Sequence, residues 1–170
     1  MSAASPVAPP DLTARFKAGM RRLASGVWLV ALRDAEGPKG FAATAVSPVS
    51  LEPNPSLLVC VNRATSSHDA LLRAGVFSVN LLAEHDAATA RRFGSALARH
   101  ERFEDGQWVD RTPGIPAYRR ALSSFGCEVA SSLSVGTHTV LIGRVVTVEG
   151  TDGAAPLIYY GGDFASVRAA

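Results

Sequence analysis

In VWLVALRDAEGPKGFAATAV (residues 27–46), an apolar run rich in β-branched and aromatic side chains is followed by a turn-forming segment and a second apolar run. That order predicts a β-hairpin, residues 27–33 against 41–46, with the turn in 34–40. The same signature returns along the chain. PSLLVCVN (55–62) and VFSVNLL (76–82) read as a third and a fourth strand. ALSSFGCEVASSLSV (121–135), HTVLIGRVVTVEG (138–150) and APLIYYGGDF (155–164) read as three more.

Helices are fewer. Asp11 offers an N-cap, and Leu12, Phe16, Gly19 and Leu23 share one helical face until Ser25 and Gly26 end the run. SSHDALLRAG (66–75) predicts a short helix with a serine cap and a glycine stop, and EHDAATARRFGSAL (84–97) a second, alanine-rich one. Residues 99–120 mix charges with two prolines and two glycines and show no sustained period, which predicts a long functional loop or an irregular excursion. Most strand connections are too short for parallel crossovers, so the expected fold is mainly β: an antiparallel sheet closed into a barrel, with helices covering its ends.

The chain has 170 residues and shows neither an internal repeat nor a second composition regime, so one domain is expected over residues 11–170. Residues 1–10 (MSAASPVAPP) have little to bury and are expected to form a disordered arm. They lack the basic start and apolar core of a signal peptide, and no stretch is apolar enough to cross a bilayer, so the expected location is the cytoplasm. A net charge of +2 is too small to point to nucleic acid. Cys60 and Cys127 each sit inside an apolar run, as small buried hydrophobes do, and no disulfide is expected. His68, His85, His100 and His138 have no metal-site spacing, so no metal is expected. The local basic excess from Arg91 to Arg102 is read either as a solvated helix face or as a seat for an anionic cofactor.

GxSxG, P-loop, HExxH and GxGxxG motifs are all absent, which removes the usual support for hydrolase, nucleoside triphosphatase, zinc protease and Rossmann readings. Three stretches remain. In GFAATAVSPVS (40–50), small residues allow a flat ligand to approach the backbone, or a neighbouring strand to pack closely. In NRATSSHDALL (62–72), a strand gives way to a helix whose first amides and hydroxyls suit a phosphate, while Ser66 with Asp69 also has capping-box spacing. In VGTHTVLIGRV (135–145), His138 stands at a strand mouth, placed either to bind a ligand or to satisfy a neighbouring carbonyl.

Taken together, GVWLVAL, GFAATAVSPVSLEPNPSLLVCVNRATSSHDALLRAGVFSVNLLAE, ARRF, GCEVASSLSVGTHTVLIGRV and PLIYYGG resemble the flavin reductase family, the small reductase components of two-component flavin monooxygenases. The resemblance runs from about Gly26 to Gly162. It implies a six-stranded Greek-key split β-barrel, a homodimer, and a flavin held where the subunits meet. It further implies that Ala43, Thr44 and Ala45 line the isoalloxazine with Ser47 and Ser50 nearby, and that Asn62, Ser66 and Ser67 meet the ribityl chain and phosphate. Phe93 would border the flavin and His138 would seat the nicotinamide.

The activity so implied is reduction of FAD or FMN by NADH or NADPH, with NADH favoured and FAD slightly preferred. Reduced flavin would then pass to a separate flavin-dependent monooxygenase. Hydride moves directly between the two cofactors, so no catalytic acid or base is expected. Arg99 or Arg102 could meet the 2′-phosphate of NADPH. Three departures from the family pattern stand out: Pro48, Thr137 beside His138, and Asp163–Phe164. Two other readings stay open: a barrel of the pyridoxamine-phosphate-oxidase-like kind that keeps FMN bound, and a flavin- or haem-binding module without catalysis.

Overall fold

The hairpin forms with a tighter turn than the sequence suggests. In the computed structural model, which describes residues 10–97, 99–104, 106–151 and 153–168, the turn shrinks to Ala35 and Glu36. Gly37, Pro38, Lys39 and Gly40 join the second strand. Residues 1–9 of the expected arm lie outside the described residues, and Pro10 opens a helix, as its fixed φ and missing N–H allow at a first helical position.

In chain order the elements are α1 (Pro10–Met20), β1 (Ser25–Gly26), β2 (Trp28–Asp34), β3 (Gly37–Ala43), β4 (Val46–Ser50) and β5 (Ser56–Asn62). Then come α2 (His68–Ala74), β6 (Val76–Leu81), α3 (Ala87–Gly94), β7 (Trp108–Thr112) and β8 (Ile115–Tyr118). The last are β9 (Ser123–Val135), β10 (His138–Gly150), β11 (Leu157–Tyr160) and β12 (Asp163–Ser166). Short 3₁₀ turns precede α3 at Glu84–Asp86 and follow it at Arg99–Glu101.

Among the described residues the main sheet has seven strands in the order β3-β2-β6-β9-β10-β5-β4, and the strand pairs are antiparallel. β3 and β4 are consecutive in the chain, joined only by Thr44 and Ala45, yet they occupy opposite edges. The sheet must therefore curl until its edges meet at that link, which is the barrel seam. Seven strands stand where six were expected because the run from Gly37 to Ser50 bends at the seam into two. Pro48 falls in β4, an edge strand, where a missing N–H costs little pairing.

Strand β2 explains why residues 27–32 are apolar at every position. Val30 and Leu32 point into the barrel beside Phe41, Val59, Val61, Phe77 and Val79. Val27 and Leu29 face a second cluster with Leu82, Ala90, Phe93, Tyr118 and Leu157. With both faces covered the strand shows no polar alternation. Each fully buried Val, Leu or Phe contributes roughly 1.5–3 kcal/mol. α2 adds Ala70 and Leu71 to the barrel core where the chain passes from β5 to β6.

Other expectations need correction. Residues 99–120 contain the β7–β8 hairpin, turning at Pro113–Gly114 with Gly114 at φ 76°. Residues 155–164 form two strands, not one, because Gly161 and Gly162 both take positive φ and reverse the chain between β11 and β12. The capping box does not form: α2 begins at His68, Ser67 makes no side-chain cap bond, and the Asp69 carboxylate instead meets His68 Nδ1 at 2.7 Å. The predicted helix at 84–97 is confined to Ala87–Gly94.

Asn80 is the polar node of the second layer and is fully buried. Its Nδ2 donates to Leu29 O (3.0 Å) and Ser78 Oγ (2.9 Å), while its Oδ1 accepts from Tyr118 N (2.9 Å) and Ser124 Oγ (2.7 Å). One side chain thus ties β6 to β2, β8 and β9. Nearby, the Tyr118 hydroxyl donates to the buried Asp86, and burial pushes its pKa up to about 12.

Candidate active site

The barrel seam opens onto a cleft of about 480 Å³. One wall is the end of β3 and the seam itself: Ala42, Ala43, Thr44 and Ala45. Ladder pairing of β3 ends at Ala43 and that of β4 starts at Val46, so Thr44 and Ala45 lie outside both ladders. Asn62 from the end of β5 and His138 from the start of β10, which are register partners, line the same cleft. Thr65 and Ser66 of the loop after β5, and Phe93 and Gly94 of α3, also line the cleft.

The loop from Asn62 to His68 is held by its own bonds. Asn62 Oδ1 accepts from Ala64 N at 2.9 Å, Asn62 O accepts from Thr65 N at 3.0 Å, and Arg63 N donates to Thr137 O at 2.9 Å. The Asn62 oxygen is committed to this turn, so its Nδ2 is the group that can donate to a ligand. His68 anchors the loop from behind: buried, it meets Thr139 Oγ1 through Nε2 at 2.8 Å. His138 Nδ1 lies 2.9 Å from Thr137 Oγ1, so the threonine at this departure orients the ring.

Seven of the ten residues expected at the site therefore line one cleft: Ala43, Thr44, Ala45, Asn62, Ser66, Phe93 and His138. Ser47 and Ser50 do not. They sit on exposed β4, where Ser47 Oγ donates to Pro48 O (3.4 Å) and Ser50 Oγ to Glu52 O (2.6 Å), because the strand leaves the cleft at the seam. Ser67 is buried and lines a smaller adjoining cleft of about 210 Å³ together with Lys39, Gly40, Arg99 and Arg102. The ring of Phe93 is almost fully buried, packed against Phe103 (5.2 Å) and Trp108 (5.5 Å).

Arg102, read from the sequence as part of a basic run and as a candidate for the 2′-phosphate of NADPH, lines both clefts. It is 6% exposed; Nη1 donates to Gly40 O at 2.5 Å and Nη2 to Ser95 O at 2.7 Å. Its Nε is buried without a partner, and the guanidinium lies 5.7 Å from the Phe93 ring centroid. Burial first, and the charge of Arg99 second, lower its pKa. Arg99 is exposed and reaches the same space. By contrast, Lys39 is occupied by Asp34 and Glu36, at 2.5 Å each. Within the Arg91–Arg102 run, Arg91 is solvated, whereas Arg99 and Arg102 line the clefts.

Cys60 differs from expectation: it is half-buried and lines the cleft, whereas Cys127 is buried in the barrel and burial pushes its thiol up to about 12. A maleimide at pH 8 is expected to label Cys60 and leave Cys127 unmodified in the folded chain; mass spectrometry of the labelled peptides reads both outcomes.

The flavin reductase like domain family matches residues 20–168. The chain belongs to the flavin reductase-like family. A protein named FMN reductase (NADH) RutF from Pseudomonas syringae is 38% identical over 146 residues, 86% of this chain and 82% of that one. Another, FMN reductase (NADH) RutF 1 from Methylorubrum extorquens, is 40% identical over 159 residues, 94% of this chain and 79% of that one. Among solved structures, BorF, the flavin reductase component of a bacterial two-component tryptophan halogenase, superposes with a TM-score of 0.84 at 27% identity. It covers 93% of this chain and 99% of its own. In this chain the bend at Thr44–Ala45 borders the cleft, and the small side chains there leave backbone open to it.

Proposed function

We propose that this chain is an NADH-dependent flavin reductase that takes flavin as a diffusing substrate and hands reduced flavin to a separate oxygenase. The carrying observation is the cleft, which has a wall of small residues with unladdered amides on one side and Asn62, His138, Arg99 and Arg102 around it. A flat, polar-edged ring with a phosphate tail fits that set. FMN and FAD share this part, and the relatives named above give the preference to FMN.

The two cofactors supply the hydride chemistry themselves. The chain's residues hold and orient them. Ala43, Thr44 and Ala45 let a ring lie against the strand end, with the seam amides as donors to its edge. Ser66, Arg99 and Arg102 receive the phosphate, Asn62 the chain between, and Phe93 backs the pocket. Ser67 stands behind Ser66 in the adjoining cleft and supports the loop. His138 orients the nicotinamide through its hydrogen bond to a carboxamide. Close stacking of two rings carries most of the rate, so no acid–base pair is required.

His138→Ala is expected to raise the KM for NADH about 3- to 10-fold, the worth of one hydrogen bond, with a much smaller change in the flavin KM. An unchanged NADH KM removes His138 from the nicotinamide site. Ser66→Asp places like charge where the phosphate lies and is expected to raise the FMN KM at least tenfold at low salt; equal KM values for the variant and wild type would place the phosphate elsewhere.

The chain acts as a homodimer in this reading. Support comes from exposed apolar side chains on α1 (Leu12, Phe16, Met20) and on the β9 end (Leu133, Val135), more than a lone surface needs. Light scattering at twice the 17.8 kDa chain mass agrees with it, and a monomer at micromolar concentration contradicts it. No helix among the described residues is long and apolar enough to cross a membrane, and we place the protein in the cytoplasm, beside its NADH supply.

A further inference from the structure

His138 is bracketed by two tethers to the loop after β5. On one side Arg63 N donates to Thr137 O at 2.9 Å, backbone to backbone. On the other, His68 Nε2 meets Thr139 Oγ1 at 2.8 Å, side chain to side chain. Successive residues of a strand face opposite ways, so His138 lines the cleft while Thr139 is buried on the face behind it. The Asp69 carboxylate, an acceptor only when ionised, meets His68 Nδ1 at 2.7 Å and keeps the proton of the neutral ring on that nitrogen. Nε2 then accepts from the Thr139 hydroxyl. His68 N also donates to Thr65 O at 3.1 Å, so one residue grips both the loop and β10.

His68 and Thr139 are both buried, and a buried polar pair adds little stability over apolar side chains of the same shape. What it adds is direction: the hydrogen bond fixes the start of α2, and the loop before it, against β10. Asn62, Thr65 and Ser66 come to the cleft from the strand end and loop on one side of this bond, and His138 comes from β10 on the other. We propose that His68 is a positioning residue that, through Thr139, holds the flavin-binding loop and the nicotinamide-binding His138 in one register. The names of those two sides rest on the flavin reductase reading.

The test uses Thr139→Val, which keeps the shape and removes the hydroxyl, Thr139→Ser, which keeps the hydroxyl, and His68→Leu, alone and combined with Thr139→Val. Steady-state kinetics are measured where circular dichroism shows each protein folded. Thr139→Val is expected to raise the KM for FMN and the KM for NADH together, each about 3- to 10-fold, and Thr139→Ser to restore both. The double variant is expected to match His68→Leu within about twofold, because Thr139 has already lost its partner there. Both KM values within about twofold of wild type in folded Thr139→Val, a rise in one KM alone, or single-variant effects that multiply in the double variant would each overturn the proposal. If Thr139→Val does not fold, His68→Leu is judged by the same two KM values. If wild type oxidises no NADH, the reductase reading fails, and amide hydrogen exchange decides the tether. Exchange about tenfold faster at Ala64 and Thr65 in Thr139→Val supports it, and exchange at the wild-type rate overturns it.

Discussion

Asn80→Ala is expected to destabilise the fold by about 3–5 kcal/mol, seen in urea unfolding as a lower midpoint at an unchanged slope. The side chain is fully buried and makes four hydrogen bonds, two of them to backbone groups, Leu29 O and Tyr118 N. Alanine leaves those groups buried, at about 1–3 kcal/mol for each one unsatisfied, and adds a small cavity. Asn80→Asp keeps the acceptor but loses both donors and brings an anion into an apolar layer, so it is expected to be no better. A variant within 1 kcal/mol of wild type would show that water enters and replaces the side chain.

Arg102→Ala is expected to raise the FMN KM about 10- to 100-fold, with kcat at saturation falling less. Two charge-assisted bonds hold Gly40 and Ser95 in place, and bonds of that kind contribute about 1.5–3 kcal/mol. Gly40 belongs to the strand whose end forms the ring wall, and a Cβ there would come within 2.6 Å of Val30 O and 3.1 Å of Phe93, so the strand has little room to shift. Loss of Arg102 also removes the donor Nε that faces no protein acceptor. Arg102→Lys keeps the charge but cannot bridge two carbonyls with a planar fork, and an intermediate KM is expected. Flavin titration followed by NADH absorbance reads all three proteins; an alanine variant with the wild-type FMN KM would make Arg102 a packing residue only.

Some of this was legible in the residues. The thirteen-residue strand β10 was delimited by its glycines and by the Val/Ile/Leu run between them, and it forms over the predicted span. The turn of the first hairpin was placed too broadly because GPKG reads as punctuation. β3 is a sheet edge, where Pro38 costs no ladder bond, so the strand runs through it. The β7–β8 hairpin escaped notice because all four residues of β8 are buried and give no alternation, although Pro113–Gly114 was a usable turn signal.

At the site, the small residues of the seam were legible as a permissive wall, but their position was not. It depends on β3 and β4 being opposite edges of one curled sheet. The resemblance put Ser47 and Ser50 near the ring; past the bend at the seam they stand on exposed β4 and do not line the cleft. Arg102 could be read as charge but not as a buried clamp, since its carbonyl partner Gly40 lies 62 residues away.

The central claim is that free flavin is a substrate of this chain, and it is tested most directly by the loss of nicotinamide absorbance after mixing purified protein with NADH, with and without added FMN or FAD. The account predicts a colourless protein whose NADH oxidation requires added flavin and saturates with it. NADH left unoxidised at every flavin concentration, or a protein that retains stoichiometric flavin and ignores more, would contradict it.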